Sequence, residues 1–162
     1  GLFNAGSLQL STMTIDLADM ARDVIALSAE DLDKRSMPVS LRLSPACVRA
    51  DPDRIRQLLL VLVDNAMRYA PEGVLVIETA VEGATAIIRC RDHGPGLSPE
   101  ALLHAFEPFW RAEESRARDQ GGSGLGLSVV RAIAQAHGGR VHGATMEDGG
   151  ACFSVFLPMN GK

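Results

Sequence analysis

Residues 51–71, which decide the fold, read DPDRIRQLLLVLVDNAMRYAP. Asp51 can accept hydrogen bonds from the first free N–H groups of a helix, and Pro52 suits the first helical position, where an N–H is not needed. The pair therefore predicts that a helix begins here. At 100° per residue, its apolar side chains form one stripe that faces a core, made of Ile55, Leu58, Leu59, Leu62, Val63 and Ala66.

The opposite face of this helix carries Gln57, Val61, Asp64, Asn65 and Arg68. A polar helix face is most often simply solvated, and the helix alone favours that interpretation. However, an asparagine carbonyl oxygen also suits a hard cation, and a guanidinium group suits phosphate. Val61 is the unusual member of the face, because it is apolar among polar side chains.

The chain has 162 residues, of which 46% are hydrophobic and 22% charged, and its net charge is -4. These values are typical of one globular domain with its own core. The acidic balance gives no basic footprint, so nucleic acid is not an expected partner. No apolar run approaches the roughly 20 residues of a membrane span, and no signal peptide is visible, so we expect no direct membrane contact by this domain. The three cysteines lack metal-type spacing and are expected to be small buried side chains.

Hydrophobic periodicity predicts the other elements. They are a helix capped by Asp16 and reaching Leu32, a strand over Val39–Leu43, a hairpin of 74–81 and 86–92, a short helix after Ser98-Pro99, a helix over 125–137, and a hairpin of 140–146 and 151–157. This order predicts an α+β fold. We expect a two-layer sandwich with about three helices packed on one mixed, mostly antiparallel five-stranded sheet.

Two glycine-containing segments are candidate binding elements. Residues 92–97, DHGPGL, directly follow a predicted strand, where a carboxylate beside a sharp turn can accept a hydrogen bond from an exocyclic amine such as that of adenine. Residues 120–127, QGGSGLGL, open a helix whose backbone N–H groups can converge on a phosphate. The second segment is neither a P-loop nor a dinucleotide fingerprint. A solvent-facing turn and a flexible hinge are the alternatives for the two segments.

Residues 106–111, FEPFWR, lie between the two glycine segments. We expect their aromatic side chains to hold the base of a loop on the core. The polar stretch 112–121 would then move above a bound ligand as a lid.

In their order along the chain, the DNAxRY, DxGxGL, FEPFxR and GxGxGL motifs resemble the N, G1, F and G2 boxes of sensor histidine kinases. The catalytic, ATP-binding domain of these kinases belongs to the wider family shared with gyrase, mismatch-repair ATPases and the large heat-shock chaperone. The resemblance covers about residues 16–158. Residues 4–10 are also similar to the junction that follows the family's dimerisation and phosphoacceptor domain. We therefore expect residues 1–14 to be a linker from such a domain, missing here, and residues 15–162 to form the ATP-binding domain.

The resemblance implies a role for each motif residue. Asn65 would coordinate Mg²⁺ that bridges the phosphates of ATP, and Asp92 would accept from the adenine amino group. The resemblance makes Arg68 and Arg111 the catalytic candidates, with Arg111 meeting the γ-phosphate during transfer. The nucleotide-binding candidates also include Tyr69, Gly94, Gly96, Leu97, Gly122, Ser123, Gly124, Leu125 and Gly126.

Two departures from the family pattern matter. The family usually has a second asparagine four residues before Asn65, where this chain has Val61. We expect weakened or metal-tolerant ATP binding as a result, with water in the vacant position. The phosphoacceptor motif is also absent, and none of the four histidines, at positions 93, 104, 137 and 142, has its pattern.

The resemblance thus implies the cytoplasmic catalytic domain of a membrane-bound sensor histidine kinase. This domain would position Mg-ATP for transfer of the γ-phosphoryl group to a histidine on a separate dimerisation domain, from which a response regulator receives it. A nucleotide-binding regulatory module with little or no kinase activity is the alternative that Val61 favours. An ATP-driven clamp of the gyrase or chaperone type is disfavoured by the F box and by the lack of a following transducer segment.

Overall fold

The computed structural model describes residues 8–70, 73–110 and 126–159. The strands are β1 (Met13–Asp16), β2 (Val39–Leu43), β3 (Cys47–Ala50), β4 (Leu75–Glu82), β5 (Thr85–Arg91), β6 (Arg140–Thr145) and β7 (Ala151–Pro158). The helices are α1 (Leu17–Leu27), α2 (Ala29–Lys34), α3 (Pro52–Tyr69), α4 (Pro99–His104) and α5 (Gly126–Ala136). No helix within the described ranges combines the length and the apolar character needed to cross a bilayer.

The main sheet has five strands in the order β2-β4-β5-β7-β6. β2 and β4 run parallel, and the other three neighbouring pairs are antiparallel. Side chains of a strand alternate between its two faces, and one face of this sheet packs on the helices through residues such as Ile77, Ile88 and Val155. The expected α+β sandwich with a mixed, mostly antiparallel five-stranded sheet is confirmed.

Helix α3 lies centrally in the helical layer and contacts both α1 and α5. Asp51 caps its N-terminus by accepting from the backbone N–H groups of Asp53 and Arg54. The six residues of its predicted core stripe are at most 2% exposed. Their burial confirms the prediction from helical periodicity and fixes which face of α3 points away from the core.

The structure differs from the sequence-based prediction near the N-terminus. The predicted first helix is two helices, because Ser28 ends α1 and begins α2. Serine competes for backbone hydrogen bonds and so favours helix ends. Two short strands, β1 and β3, were not predicted, and they pair antiparallel in a separate sheet. Met13 and Thr14, at the end of the predicted linker, belong to β1. Cys47 alternates outward in β3 and is exposed, so the expectation that it is buried was wrong.

Candidate functional site

Asp92 directly follows β5 and is only 6% exposed. Its Oδ1 accepts two backbone hydrogen bonds, one from the N–H of Gly94 and one from the N–H of Ala151, each 3.0 Å long. Within the described residues nothing donates to Oδ2. The carboxylate is therefore held in a fixed orientation through one oxygen, and the other oxygen remains able to accept a hydrogen bond from a ligand.

The 92–97 loop lies against the C-terminal end of α3. A Cβ atom at Gly94 would be 2.5 Å from the Cβ of Ala70 and 3.2 Å from the carbonyl oxygen of Tyr69. Only glycine permits this approach of the two backbones. Gly96 has a φ of +81°, a conformation that side chains with a Cβ rarely adopt. The glycines of this motif therefore shape the loop and bring Asp92 and Tyr69 to one region.

Leu97 ends the loop and is anchored to strand β6. Its N–H donates to Oγ1 of Thr145 over 2.9 Å, and the Thr145 hydroxyl donates to the Leu97 carbonyl oxygen over 2.7 Å. The Leu97 side chain packs against the hydrophobic core. These contacts give Leu97 a structural role in fixing the far end of the loop.

The outward face of α3 carries the polar candidates. Asn65 is half-buried, and Nε of Arg68 pairs with the carboxylate of Asp64 over 2.8 Å. Both members of this pair are partly exposed, and such pairs contribute little to stability. The pair orients the guanidinium along α3, one turn beyond Asn65.

Val61 is partly buried and packs at the edge of the core. A Cβ atom at Gly126 would be 3.3 Å from Cγ1 of Val61. The last glycine of the 120–127 segment therefore lies against the face of α3 that carries Asn65. Arg111, Gly122, Ser123, Gly124 and Leu125, together with the whole of the expected lid, lie outside the described residues.

The aromatic residues of the 106–111 motif behave differently from one another. Phe106 packs edge-to-face on Phe153 of β7, with ring centroids 5.9 Å apart. Trp110 is half-buried beside the ring of His104. Phe109 is 63% exposed and has a φ of 67°. Phe106 thus holds this segment on the core as expected, whereas Phe109 does not.

Three residues that hold the site were not recognised in the sequence. Ala151 donates to Asp92, Thr145 anchors Leu97, and Ala70 meets Gly94. For Ala151 and Thr145, the only sequence signal was the predicted final hairpin, to which both belong. In the structure Cys152 of β7 lies opposite Arg91 of β5, so the neighbouring residues Ala151 and Asp92 come together. The hairpin was predicted, but its place beside β5 could not be deduced from a local pattern.

The family model of "Histidine kinase-, DNA gyrase B-, and HSP90-like ATPase" matches residues 50–161. The chain belongs to this family. The part matched runs from the N-cap of α3 through both glycine segments, so it contains every candidate residue named above. Comparison with individual members of this ATPase family narrows the similarity to the sensor histidine kinases.

Among the curated members of the ATPase family, the signal transduction histidine-protein kinase AfsQ2 of Streptomyces coelicolor is 35% identical over 98% of this chain. The chain spans 28% of the length of AfsQ2. Full-length ShkA, solved in complex with AMPPNP, shares 28% identity with a TM-score of 0.82 over 95% of this chain and 33% of its own. The histidine kinase ThkA, solved in complex with the response regulator TrrA, shares 26% identity with a TM-score of 0.77, over 91% of this chain and 42% of its own. The chain is accordingly an ATP-binding domain of the sensor histidine kinase type.

Proposed function

We propose that this chain binds Mg-ATP and positions its γ-phosphoryl group for transfer to a histidine on a separate dimerisation domain. In this step the bond between the γ-phosphorus and the bridging oxygen breaks, a phosphorus–nitrogen bond to the imidazole forms, and ADP leaves. Such a transfer depends mainly on positioning and charge neutralisation. Asp92 would hold the adenine amino group and Arg68 would contact phosphate.

The single observation that carries this proposal is the arrangement of Asp92. Its Oδ1 is saturated by the N–H groups of Gly94 and Ala151, so Oδ2 is presented as a fixed acceptor. The loop that holds it is packed on the end of α3, the helix that carries Asn65 and Arg68. A fixed carboxylate acceptor and polar side chains suited to phosphate thus lie on adjoining elements, which supports the proposal that both bind one nucleotide.

The side chains at this site could bind Mg²⁺ only together with the phosphates of a bound nucleotide. The described residues contain no group of three or more histidine, cysteine or acidic side chains that could hold a metal ion by themselves. Mg²⁺ usually binds through one or two protein oxygens together with phosphates and water. Asn65 would supply one such oxygen, and the ion would neutralise charge on the phosphates. Val61 supplies none.

We assign two protein partners to this activity. The first is the dimerisation and phosphoacceptor domain of the same protein, and the second is a response regulator, as in the ThkA–TrrA complex. Leu103 of α4 is 76% exposed and Phe109 is 63% exposed, close together in the chain. These two exposed apolar side chains are candidate contacts for the helices of a dimerisation domain during transfer.

Val61 also favours a second candidate function, a nucleotide-binding regulatory module with weak or no kinase activity. A valine packed against Gly126 occupies the position of an expected metal ligand. With one protein oxygen fewer, the phosphates would be less firmly held. The two candidates agree on ATP binding and differ on phosphoryl transfer.

Nucleotide binding can be measured by tryptophan fluorescence, because Trp110 is the only tryptophan of the chain. ATP, and GTP as the control, are titrated with and without Mg²⁺. We expect ATP to change the Trp110 fluorescence saturably and to bind with a lower Kd when Mg²⁺ is present. GTP should change the fluorescence much less. No response to ATP, confirmed by calorimetry on the folded chain, would contradict both candidate functions.

A further inference from the structure

Asp51 joins three parts of the fold. Its Oδ1 accepts from the N–H groups that open α3, and its Oδ2 accepts from the N–H of Ser11 over 3.0 Å. Its own N–H donates to Nε2 of His137 over 3.1 Å. Asp51 is itself buried, and the residue before it, Ala50, is paired with β1. Asp51 is therefore held in place by hydrogen bonds on both its side chain and its backbone, and it gives His137 a rigid hydrogen-bond donor.

His137 is 8% exposed and follows the last residue of α5. Its Nδ1 lies 2.8 Å from the carbonyl oxygen of Ile133. A carbonyl oxygen can only accept, so Nδ1 carries the hydrogen and Nε2 is the acceptor for the Asp51 N–H. Both ring nitrogens are thus used, and the imidazole is a directional link between the end of α5 and the start of α3.

The two helices run antiparallel, with contacts at both ends. From Asp51 to Val61 α3 advances by about 15 Å, and from His137 back to Gly126 α5 covers about 16 Å. Val61 and Gly126 are indeed in contact at that end. The His137–Asp51 hydrogen bond and the Val61–Gly126 contact therefore mark the two ends of one helix pair. The Val61–Gly126 end adjoins the face of α3 that carries Asn65.

We propose that His137 is a positioning residue that sets the register of α5 against α3 through its hydrogen bond to Asp51. Apolar contacts between helices tolerate small sliding, whereas a buried hydrogen bond is directional and specifies register. The register determines where Gly126, and with it the start of α5, lies relative to Asn65. The inference rests on the proposed function, because it places the nucleotide at that end of the helices.

A matched pair of variants tests this role. In His137→Gln the side-chain carbonyl oxygen reaches the place of Nε2 and can still accept from Asp51. In His137→Asn the shorter side chain can reach only Ile133. At a temperature where both are folded, the Asn variant is expected to bind ATP roughly tenfold more weakly, as for the loss of other supporting contacts behind a binding site. The Gln variant is expected to stay within about twofold of the unaltered chain.

Amide chemical shifts of the nucleotide-free chain provide a second readout. The Asn variant is expected to shift the amide signals of Gly126, about 16 Å from the substitution along α5, and of Asn65, about 21 Å from Asp51 along α3. The Gln variant is expected to leave both signals unchanged. Unchanged ATP affinity and unchanged distant signals in a destabilised Asn variant would overturn the proposal in favour of a purely local role. A Gln variant as impaired as the Asn variant would also overturn it.

Two further outcomes are distinguishable. If the unaltered chain binds no ATP, the proposed function fails, while the distant amide shifts still decide whether His137 sets the register. If the Asn variant does not fold, hydrogen exchange of the unaltered chain decides the matter. Coupling is reciprocal, so saturating ATP should slow exchange of the Asp51 amide. Exchange at Asp51 that ATP leaves unchanged would overturn the inference.

Discussion

The carboxylate of Asp92 accepts a hydrogen bond from the backbone N–H of Ala151, a residue 59 positions later in the chain. The same oxygen accepts from Gly94. The carboxylate at the end of β5, for which we propose a role in adenine binding, is thus oriented by the last hairpin of the fold and by its own loop together. This double attachment makes Asp92 a preorganised acceptor, and it makes the effects of substituting it predictable.

Substituting Asp92→Asn should weaken ATP binding by roughly 10- to 100-fold while leaving the fold intact. The amide oxygen can replace Oδ1 as acceptor for the two backbone N–H groups. The amide nitrogen would then face the adenine amino group, donor against donor. Calorimetric titration with ATP and GTP provides the measurement and its control, because guanine presents an acceptor at that position and should lose less affinity. Equal losses for both nucleotides, or none for ATP, would refute the role of Asp92.

Substituting Gly94→Ala should destabilise the chain by about 1–3 kcal/mol through overpacking and weaken ATP binding. The added Cβ would overlap that of Ala70. The double variant with Ala70→Gly removes that overlap but keeps the approach to the Tyr69 carbonyl oxygen, so it should recover only part of the loss. Urea unfolding of both variants checks this. A double variant no better than the single one would show that the two residues do not press on each other.

Substituting Val61→Asn should tighten Mg-ATP binding by about fivefold, or about 1 kcal/mol, by restoring a metal ligand. Affinity for ATP without Mg²⁺ should not improve. Val61→Leu is the matched control, because leucine has the branched shape of asparagine but no oxygen that could bind a metal ion. A gain that is the same with and without Mg²⁺, or that leucine reproduces, would count against a metal-binding role for this position.

The stability of the chain should fall in acid partly through Asp51. Burial opposes ionisation of this carboxyl, but hydrogen bonds from the N–H groups of Ser11, Arg54 and Asp53, with the Arg54 guanidinium, outweigh it and hold its pKa below the ordinary 3.8. A lowered folded pKa stabilises the fold above the unfolded value, and this contribution is lost as the pH falls through the folded value.

Urea unfolding of the unaltered chain and of Asp51→Asn, compared from neutral pH down to about pH 2.5, tests this effect. The unaltered chain should be more stable near neutrality, by about 1 kcal/mol, because asparagine can keep the helix cap through its oxygen but its amide nitrogen cannot accept from the Ser11 N–H as Oδ2 does. The difference should shrink below about pH 4. A difference that stays constant down to the lowest pH would contradict the assignment.

The sequence predicted those features that depend on local chemistry. The stripe of α3 follows from its period, its start follows from Asp51-Pro52, and the glycines of the 92–97 loop lie where a sharp turn was expected. The features that were missed depend on how segments far apart in the chain are aligned with one another. Nothing near Asp92 indicates that Ala151 will donate to it, and nothing near Gly94 indicates contact with Ala70.

The short strands were missed for a related reason. β1 and β3 have four residues each, too few for an alternating pattern to stand out, and their pairing joins segments about 35 residues apart. The break at Ser28 was missed because the apolar spacing continues through it to Leu32, which is buried as a continuous helix would also require. In each case, tertiary packing supplied information that no local window contains.

Transfer of the γ-phosphoryl group to histidine is tested most directly by mixing the purified chain with the dimerisation domain of its own protein and ATP labelled at the γ-phosphate. We expect labelled, acid-labile phosphohistidine on the dimerisation domain. We also expect Asp92→Asn in this chain to reduce the label strongly. Nucleotide binding without any phosphohistidine, at saturating Mg-ATP, would refute phosphoryl transfer and leave the regulatory module as the function of the domain.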